Sequence, residues 1–285
     1  MIYLLLAGIS FGTIGLFVNF IGSDISTLLL VSIRLLSTSG IIYIYQIIKG
    51  ARSQVYLDSR RDFYVALAGG LIGFALTFSL YLKSLILIPV SEAVFLHYVA
   101  FPFSTILYSS IFHEERITKS EVIPLLGTIA GVFLIYNVGF TGGFSSILGY
   151  TMAFISGITY SAALLVLKNL GRKKTTLQAL FWPTLFGGAV LLPVSLLAGF
   201  RFDLTEGTLG SLLGLVFIST LVGYSLFAKG LKETRAGLSS IILIIVEPLS
   251  AVLLAIVFLG EIVSTSSALG GGLIVISGLF LYAGN

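Results

Sequence analysis

The stretch Ala236–Glu261, AGLSSIILIIVEPLSAVLLAIVFLGE, is apolar over a membrane-spanning length and carries Glu247 and Pro248 at its middle. About 20 apolar residues wound as a helix cross the hydrocarbon layer of a bilayer, and this stretch reads as one such helix. It has a counterpart 146 positions earlier: Pro248 maps onto Pro102, Glu261 onto Glu115, Lys229 onto Lys83 and Leu231 onto Leu85. An apolar chain that repeats itself at half its length is expected to fold as two related halves, with a ligand site where they meet.

Of the 285 residues, 57% are hydrophobic and 10% charged, and the mean hydropathy is +1.09. Soluble domains carry about 25% charged residues, so the composition predicts an all-α integral membrane protein. There is no cysteine, which excludes a disulfide framework and any thiolate metal or redox site. His97 and His113 lie too far apart in sequence for a local metal motif. Neither a metal nor a cofactor is expected. In a soluble chain the net charge of +4 would suggest nucleic acid. Here it is accounted for by the loops that hold the cations, and nucleic acid is not an expected partner.

Ten apolar spans are read, at about 2–21, 26–48, 63–82, 89–111, 121–138, 149–169, 176–198, 208–227, 236–259 and 266–283. The break between the third and fourth, Lys83 to Pro89, is thin, but the repeat gives both halves, 1–140 and 141–285, the same five spans. The first span lacks a basic leader and a small-residue cleavage site, so it is expected to remain. Ser10 and Thr13 map onto Ser156 and Thr159, which pairs the first span with the sixth. With a cytoplasmic N-terminus, thirteen lysines and arginines fall in cytoplasmic loops against two outside, Lys83 and Arg201. That bias predicts both termini in the cytoplasm of a cell with this chain in its plasma membrane. Five spans per half is an odd number, so the second half enters the membrane inverted relative to the first. Gly8 with Gly12, Gly69 with Gly73, Gly127 with Gly131, Gly210 with Gly214 and the run Gly270–Gly272 are expected at close helix contacts.

Ionisable groups inside a bilayer are expensive, and those that persist are candidates for function. Glu247 lies about eleven residues into its helix, near the midplane, and Pro248 frees a carbonyl about one turn earlier, where the helix can kink. The carboxylate can meet a cationic group or take up a proton; the plainer alternative is a structural Glu bonded to a hydroxyl. His97 sits one turn before Phe101, the counterpart of Glu247, and so shares its face; it is either a coupling group or a satisfied interhelical histidine. Tyr98, Tyr81, Phe78, Tyr160 and Tyr224 are candidate cavity aromatics, and Ser10 and Thr13 candidate polar contacts. Pro102 and Pro248 are candidate hinges. Glu92 reads as a solvated rim residue or an entrance lining. Arg34 reads as a peripheral group snorkelling to the interface, the alternative being a partner for a substrate carboxylate. Lys83 and Lys229 read as interface anchors, Glu115 and Glu261 as hinge or cap residues. No phosphate loop, nucleophile elbow or metal cluster is present in the sequence, and an enzyme is not expected.

Pro102 and Pro248, each followed thirteen residues later by Glu115 or Glu261 and then by a Gly-rich last helix, together with Arg34 in IRLL, resemble the EamA-type members of the drug/metabolite transporter superfamily. The resemblance extends over nearly the whole chain. It implies a ten-helix bundle with a central cavity lined by helices one, three, four, six, eight and nine, and alternating access by rocking of the halves. Where that family often has Trp in the first and sixth helices, this chain has Phe11 with Gly12 and Gly157 with Ile158. The expected function is secondary active transport of small organic metabolites, amino acids or related compounds foremost, and outward. Two rivals stand beside it: proton-coupled import of an organic cation such as a quaternary amine, and a membrane-embedded enzyme or sensor. The expected partners are a small-molecule substrate and the lipid bilayer, with the proton a candidate coupling ion. Substrate identity, direction, coupling ion, oligomeric state and any substrate contact by Arg34 or Glu92 stay open.

Overall fold

A computed structural model describes residues 2–51, 56–99, 119–139, 143–171, 174–233 and 236–283. Pro102, Phe101 and Glu115 lie outside the described residues. The chain runs through α1 (Ile2–Ile21), α2 (Thr27–Ile48), α3 (Arg60–Leu87), α4 (Val90–His97), α5 (Lys119–Gly139), α6 (Gly143–Gly171) and α7 (Thr176–Leu197). It continues through α8, made of Glu206–Val216, Phe217–Val222 and Gly223–Glu233 in unbroken succession, α9 (Ala236–Leu259) and α10 (Thr265–Ala283). Among the described residues the architecture is all-helical apart from one isolated antiparallel bridge, Ile25 to Phe202. Five of the described helices, α1, α2, α3, α7 and α8, are long and apolar enough to cross a membrane. Shorter apolar stretches lie in α5, α9 and α10.

Local sequence explains where the helices start and stop. Ser59 accepts the amide of Asp62 to start α3, and Thr205 accepts that of Thr208 to start α8. Thr175 and Gln178 form a reciprocal capping box at the head of α7. The thin break expected before Pro89 is real: proline disfavours a helical residue ahead of it, and Ile88 is extended, with φ −135° and ψ 164°. The third span is longer than the sequence suggested, because α3 is continuous for 28 residues. Inside it, Gly69–Leu76 is π-wound, as is Phe217–Val222 inside α8. The second stretch falls on positions 71–76 when moved back by the repeat interval, so both wide windings occupy matching places.

The helices pair across the middle of the chain. α1 packs along α9 and α8, α6 along α4 and α3, α2 along α7, and α5 along α10. Each of these pairings joins a helix before residue 140 to one after it, so the two stretches interlock. Small residues set the distance. A methyl group built on Gly12 would come within 2.7 Å of Ser250 Cβ and 2.9 Å of the Ala251 amide. On Gly131 it would meet the Gly270 carbonyl at 2.5 Å, and on Gly270 the Gly131 carbonyl at 2.6 Å. Gly210 and Gly272 depart from the expected pattern, since nothing described lies within 4 Å of a side chain there.

The loops tie off both ends of the bundle. At one, the Ser26 amide bonds the Arg201 carbonyl at 2.9 Å, the Asp203 amide bonds the Asp24 carbonyl at 2.9 Å, and Thr208 donates to the Asp24 carboxylate. At the other, Lys174 Nζ reaches the Tyr56 carbonyl at 2.6 Å and Asp58 at 3.4 Å. The first set joins loops expected outside and the second joins loops expected in the cytoplasm.

The glycine contacts lead to a stability prediction. Gly131→Val forces a side chain onto a backbone carbonyl that cannot swing away, at a cost of about 1–3 kcal/mol. The apparent Tm of the purified protein in detergent should fall, whereas Gly272→Val, facing open space, should leave it unchanged. An unaltered Tm in Gly131→Val would show that α5 and α10 are not held at this distance.

Candidate functional site

Six helices converge on one buried polar group. α2 contributes Arg34, α3 Phe78 and Tyr81, α4 His97 and its C-cap Tyr98, α6 Tyr160, α8 Thr220 and Tyr224, and α9 Glu247. Arg34 is only 1% exposed, among the largest fully buried side chains described. Its Nε donates to Thr220 Oγ1 at 2.9 Å, and its guanidinium carbon stands 4.6 Å from the centroid of the Phe78 ring. Thr220 is free to accept because its own hydroxyl proton goes to the Leu215 carbonyl, 2.9 Å away and five residues back. That reach is natural in a π-wound turn.

Around the guanidinium lie the hydroxyls of Tyr81, Tyr160 and Tyr224 and the carboxylate of Glu247, all within electrostatic range. Tyr98 donates a hydrogen bond to Glu247, and the hydroxyls of Tyr160 and Tyr224 are bonded to each other. Glu247 is half-buried and Pro248 buried. His97 stacks on Tyr81, with ring centroids 4.2 Å apart, and lies 5.0 Å from the Tyr160 ring. Its Nδ1 is 2.8 Å from Ser156 Oγ, which itself donates to the Ala153 carbonyl at 2.6 Å. With that proton committed, Ser156 accepts, so the proton on His97 sits on Nδ1. Phe11 closes one side, its ring edge-on to Tyr224 at 5.0 Å and to Phe227 at 6.5 Å.

The structure thus brings together Glu247, His97, Tyr98, Tyr81, Phe78, Tyr160 and Tyr224. Thr13 goes elsewhere: its hydroxyl bonds the Ser10 carbonyl at 2.6 Å and Ser219 Oγ at 2.7 Å, stitching α1 to α8. Their counterparts behave differently. Ser156 holds His97, and Thr159 accepts from Thr77 at 2.7 Å. The peripheral placement expected for Arg34 is wrong, because a residue eight positions into α2 here points inward between helices and not along the lipid interface. Thr220 and Phe11 were missed altogether. Nothing in the sequence distinguishes Thr220 from the chain's other threonines, whereas Phe11 occupies the place where the resembled family carries Trp.

The rim reading of Glu92 also fails. Glu92 is 4% exposed, and its two oxygens accept from Tyr150 and Ser267, hydroxyls on α6 and α10. Glu261 is a cap, but of another helix. It accepts from the Val90 amide at 2.8 Å and the Ser91 amide at 3.0 Å, and from the Ser91 hydroxyl, so it seals the N-terminus of α4. A carboxylate at that position also meets the positive end of the helix dipole. Lys229 lies over the Tyr3 ring, 5.6 Å from its centroid. No group of three or more His, Asp or Glu side chains among the described residues could hold a metal ion.

Comparison with known proteins places the chain in a family. The model of the EamA-like transporter family matches residues 1–137 and again 147–283. This chain belongs to the EamA-like transporter family and is a multi-pass membrane protein of transporter type. It is 29% identical over 269 residues, 91% of this chain and 87% of the other, to the uncharacterized inner membrane transporter YicL of Salmonella typhimurium. It is 30% identical over 170 residues to the uncharacterized transporter YwfM of Bacillus subtilis, a match spanning 60% of this chain and 57% of that one. A crystal structure with 20% identity superposes with a TM-score of 0.67 over 98% of this chain and 96% of that one, a likeness of fold.

The Glu92 arrangement can be checked directly. Tyr150→Phe deletes the donor to one buried carboxylate oxygen and should destabilise the protein by about 1–3 kcal/mol, the penalty of an unsatisfied buried group. A thermal melt equal to that of the unaltered protein would show that this oxygen is reached by solvent.

Proposed function

We propose that this chain is a secondary active transporter that moves small organic metabolites, amino acids or related compounds foremost, outward across the plasma membrane by alternating access. On this reading ten membrane helices form two five-helix repeats of inverted topology, 1–140 and 141–285, with both termini cytoplasmic. One observation carries the reading: the buried cluster around Glu247 and His97 is assembled from both stretches, with Tyr98 of α4 bonded to Glu247 of α9 and His97 of α4 bonded to Ser156 of α6. A site built across such a seam changes when the two sides move. Membership of the transporter family supports transport, and the absence of enzyme motifs from the sequence fits it.

Aromatic rings and a carboxylate also suit a solute bearing an ammonium, which is common to amino acids and to organic amines. The two readings differ in what drives the flux. Protein reconstituted in proteoliposomes should exchange labelled amino acids across the membrane, and Glu247→Gln and His97→Ala should each lower the rate about tenfold or more, the loss of a charge-assisted or buried hydrogen bond. Rates unchanged in both variants would remove the pair from the mechanism. Accumulation of a quaternary amine driven by an imposed proton gradient, without amino-acid exchange, would establish the cation importer instead.

A further inference from the structure

Arg34 is held in a way that structural arginines are not. Burying a guanidinium costs several kcal/mol unless its charge is matched and its donors are used. A guanidinium has five N–H donors and no acceptor, and its planar fork fits a carboxylate or phosphate. Here Nε is satisfied by Thr220 and one face by the Phe78 ring, both uncharged. Nη1 is buried without a hydrogen-bond partner among the described residues. Arg34 is in no ion pair among the described residues; the pairs found, Lys174 with Asp58 and Arg201 with Asp203, lie in loops. The electrostatic neighbours of the guanidinium are the three tyrosine hydroxyls and Glu247, and Glu247 accepts a hydrogen bond from Tyr98. The cation therefore sits on the central cluster, oriented by Thr220, with Nη1 unspent.

We propose that Arg34 is a substrate-binding residue, whose unpartnered Nη1 takes an oxyanion of the solute while Glu247 forms the opposite, cation-binding pole of the same site. The inference rests on the transporter reading and deepens it. The solute carries a carboxylate or another oxyanion, and a purely cationic solute would leave Nη1 unanswered and place a second positive charge beside the first. The aromatic walls, Phe78, Tyr81, Tyr160 and Tyr224, accept an apolar body between the two poles. The residue is a binding group in its own right, because its fixed half, Nε on Thr220, aims its free half.

The test uses four probes of one shape: L-phenylalanine, phenylalaninamide, 2-phenylethylamine and 3-phenylpropionate. Their binding to the purified full chain is measured by calorimetry, in the unaltered protein and in Arg34→Lys and Arg34→Met, each checked for a monodisperse peak. L-Phenylalanine should bind tightest. Arg34→Met should weaken it about 10- to 100-fold, the range expected for a charge-assisted hydrogen bond, and Arg34→Lys should recover part of that loss. The affinity for 2-phenylethylamine should change less than about twofold, because its contacts do not include Arg34. Melting of the ligand-free proteins gives a readout independent of the solute. Arg34→Met should be at least as stable as the parent, since a buried, unpaired charge gives way to an apolar group of similar length. Equal weakening of all four probes in Arg34→Met, or unchanged preference for phenylalanine over its amide, would overturn the proposal. An unaltered protein that binds none of the probes would count against the amino-acid reading. In that case the melts decide on Arg34 alone: a stable Arg34→Met supports a ligand role, and a clearly lower Tm overturns it in favour of a structural one.

Discussion

Every polar group drawn between helices that face lipid must be answered from within the chain, because no bulk water is there to do it. The described residues meet this constraint almost everywhere, and with uncharged donors. Glu92 is covered by the hydroxyls of Tyr150 and Ser267, Glu261 by two amides and a hydroxyl of α4, Glu247 by Tyr98, His97 by Ser156. Each bond also joins segments distant in the chain, helix to helix or, for Glu261, loop to helix, so satisfying the group fixes the packing. Arg34 stands out against this background because the bundle answers only part of it.

The wide π-wound stretches explain how apolar helices supply such donors and acceptors. A π turn shifts the carbonyl partner from four residues back to five and leaves a local mismatch in the ladder. Thr220 spends its hydroxyl proton on the carbonyl five residues back, that of Leu215, and the Thr77 hydroxyl likewise lies 3.0 Å from the carbonyl five residues back, that of Ile72. Thr220 then presents an oxygen lone pair to Arg34 across the interface, whereas Thr77 donates to Thr159 of α6. These windings lie at matching places in the repeat, yet they serve different partners. The backbone irregularity is part of the shared scaffold, whereas what it holds is particular to each side.

Much of this was legible in the sequence, for definite reasons. Length and apolarity marked the membrane-length helices α1, α2, α3, α7 and α8, the register of Pro248, Glu261 and Lys229 against Pro102, Glu115 and Lys83 exposed the duplication, and paired glycines marked most close crossings. Depth along a helix singled out Glu247, and face-sharing singled out His97. Depth failed for Arg34 and Glu92, because distance from a helix end says nothing about whether a side chain turns to lipid or to a neighbour. That depends on rotation about the helix axis, which partners from the other half of the chain decide. The π windings shift that rotation, and no residue pattern in GGLIGFAL or FISTLV announced them. Glu261 was recognised as a cap, but the helix it caps begins 171 residues away, beyond any local pattern.

The duplicated features and the unduplicated ones differ in kind. The interlocked helix pairs and the two π windings recur at the repeat interval, whereas the glycines at the crossings do not: Gly12, Gly73 and Gly131 fall on Ile158, Ser219 and Ser277. The charged groups of the centre do not recur: by the repeat interval Arg34 corresponds to Leu180, which is fully buried and apolar, and Glu247 to Phe101. The cation therefore belongs to one stretch and the carboxylate to the other, and they meet only where the stretches interlock. Their attraction scales inversely with separation in a medium of low dielectric constant, so small relative movements change it substantially. A solute can bias such an equilibrium only through contacts that differ between the two conformations. On the alternating-access proposal, opposite charges carried on opposite sides of the seam would provide that difference, and a fully duplicated site with like residues on both sides would not.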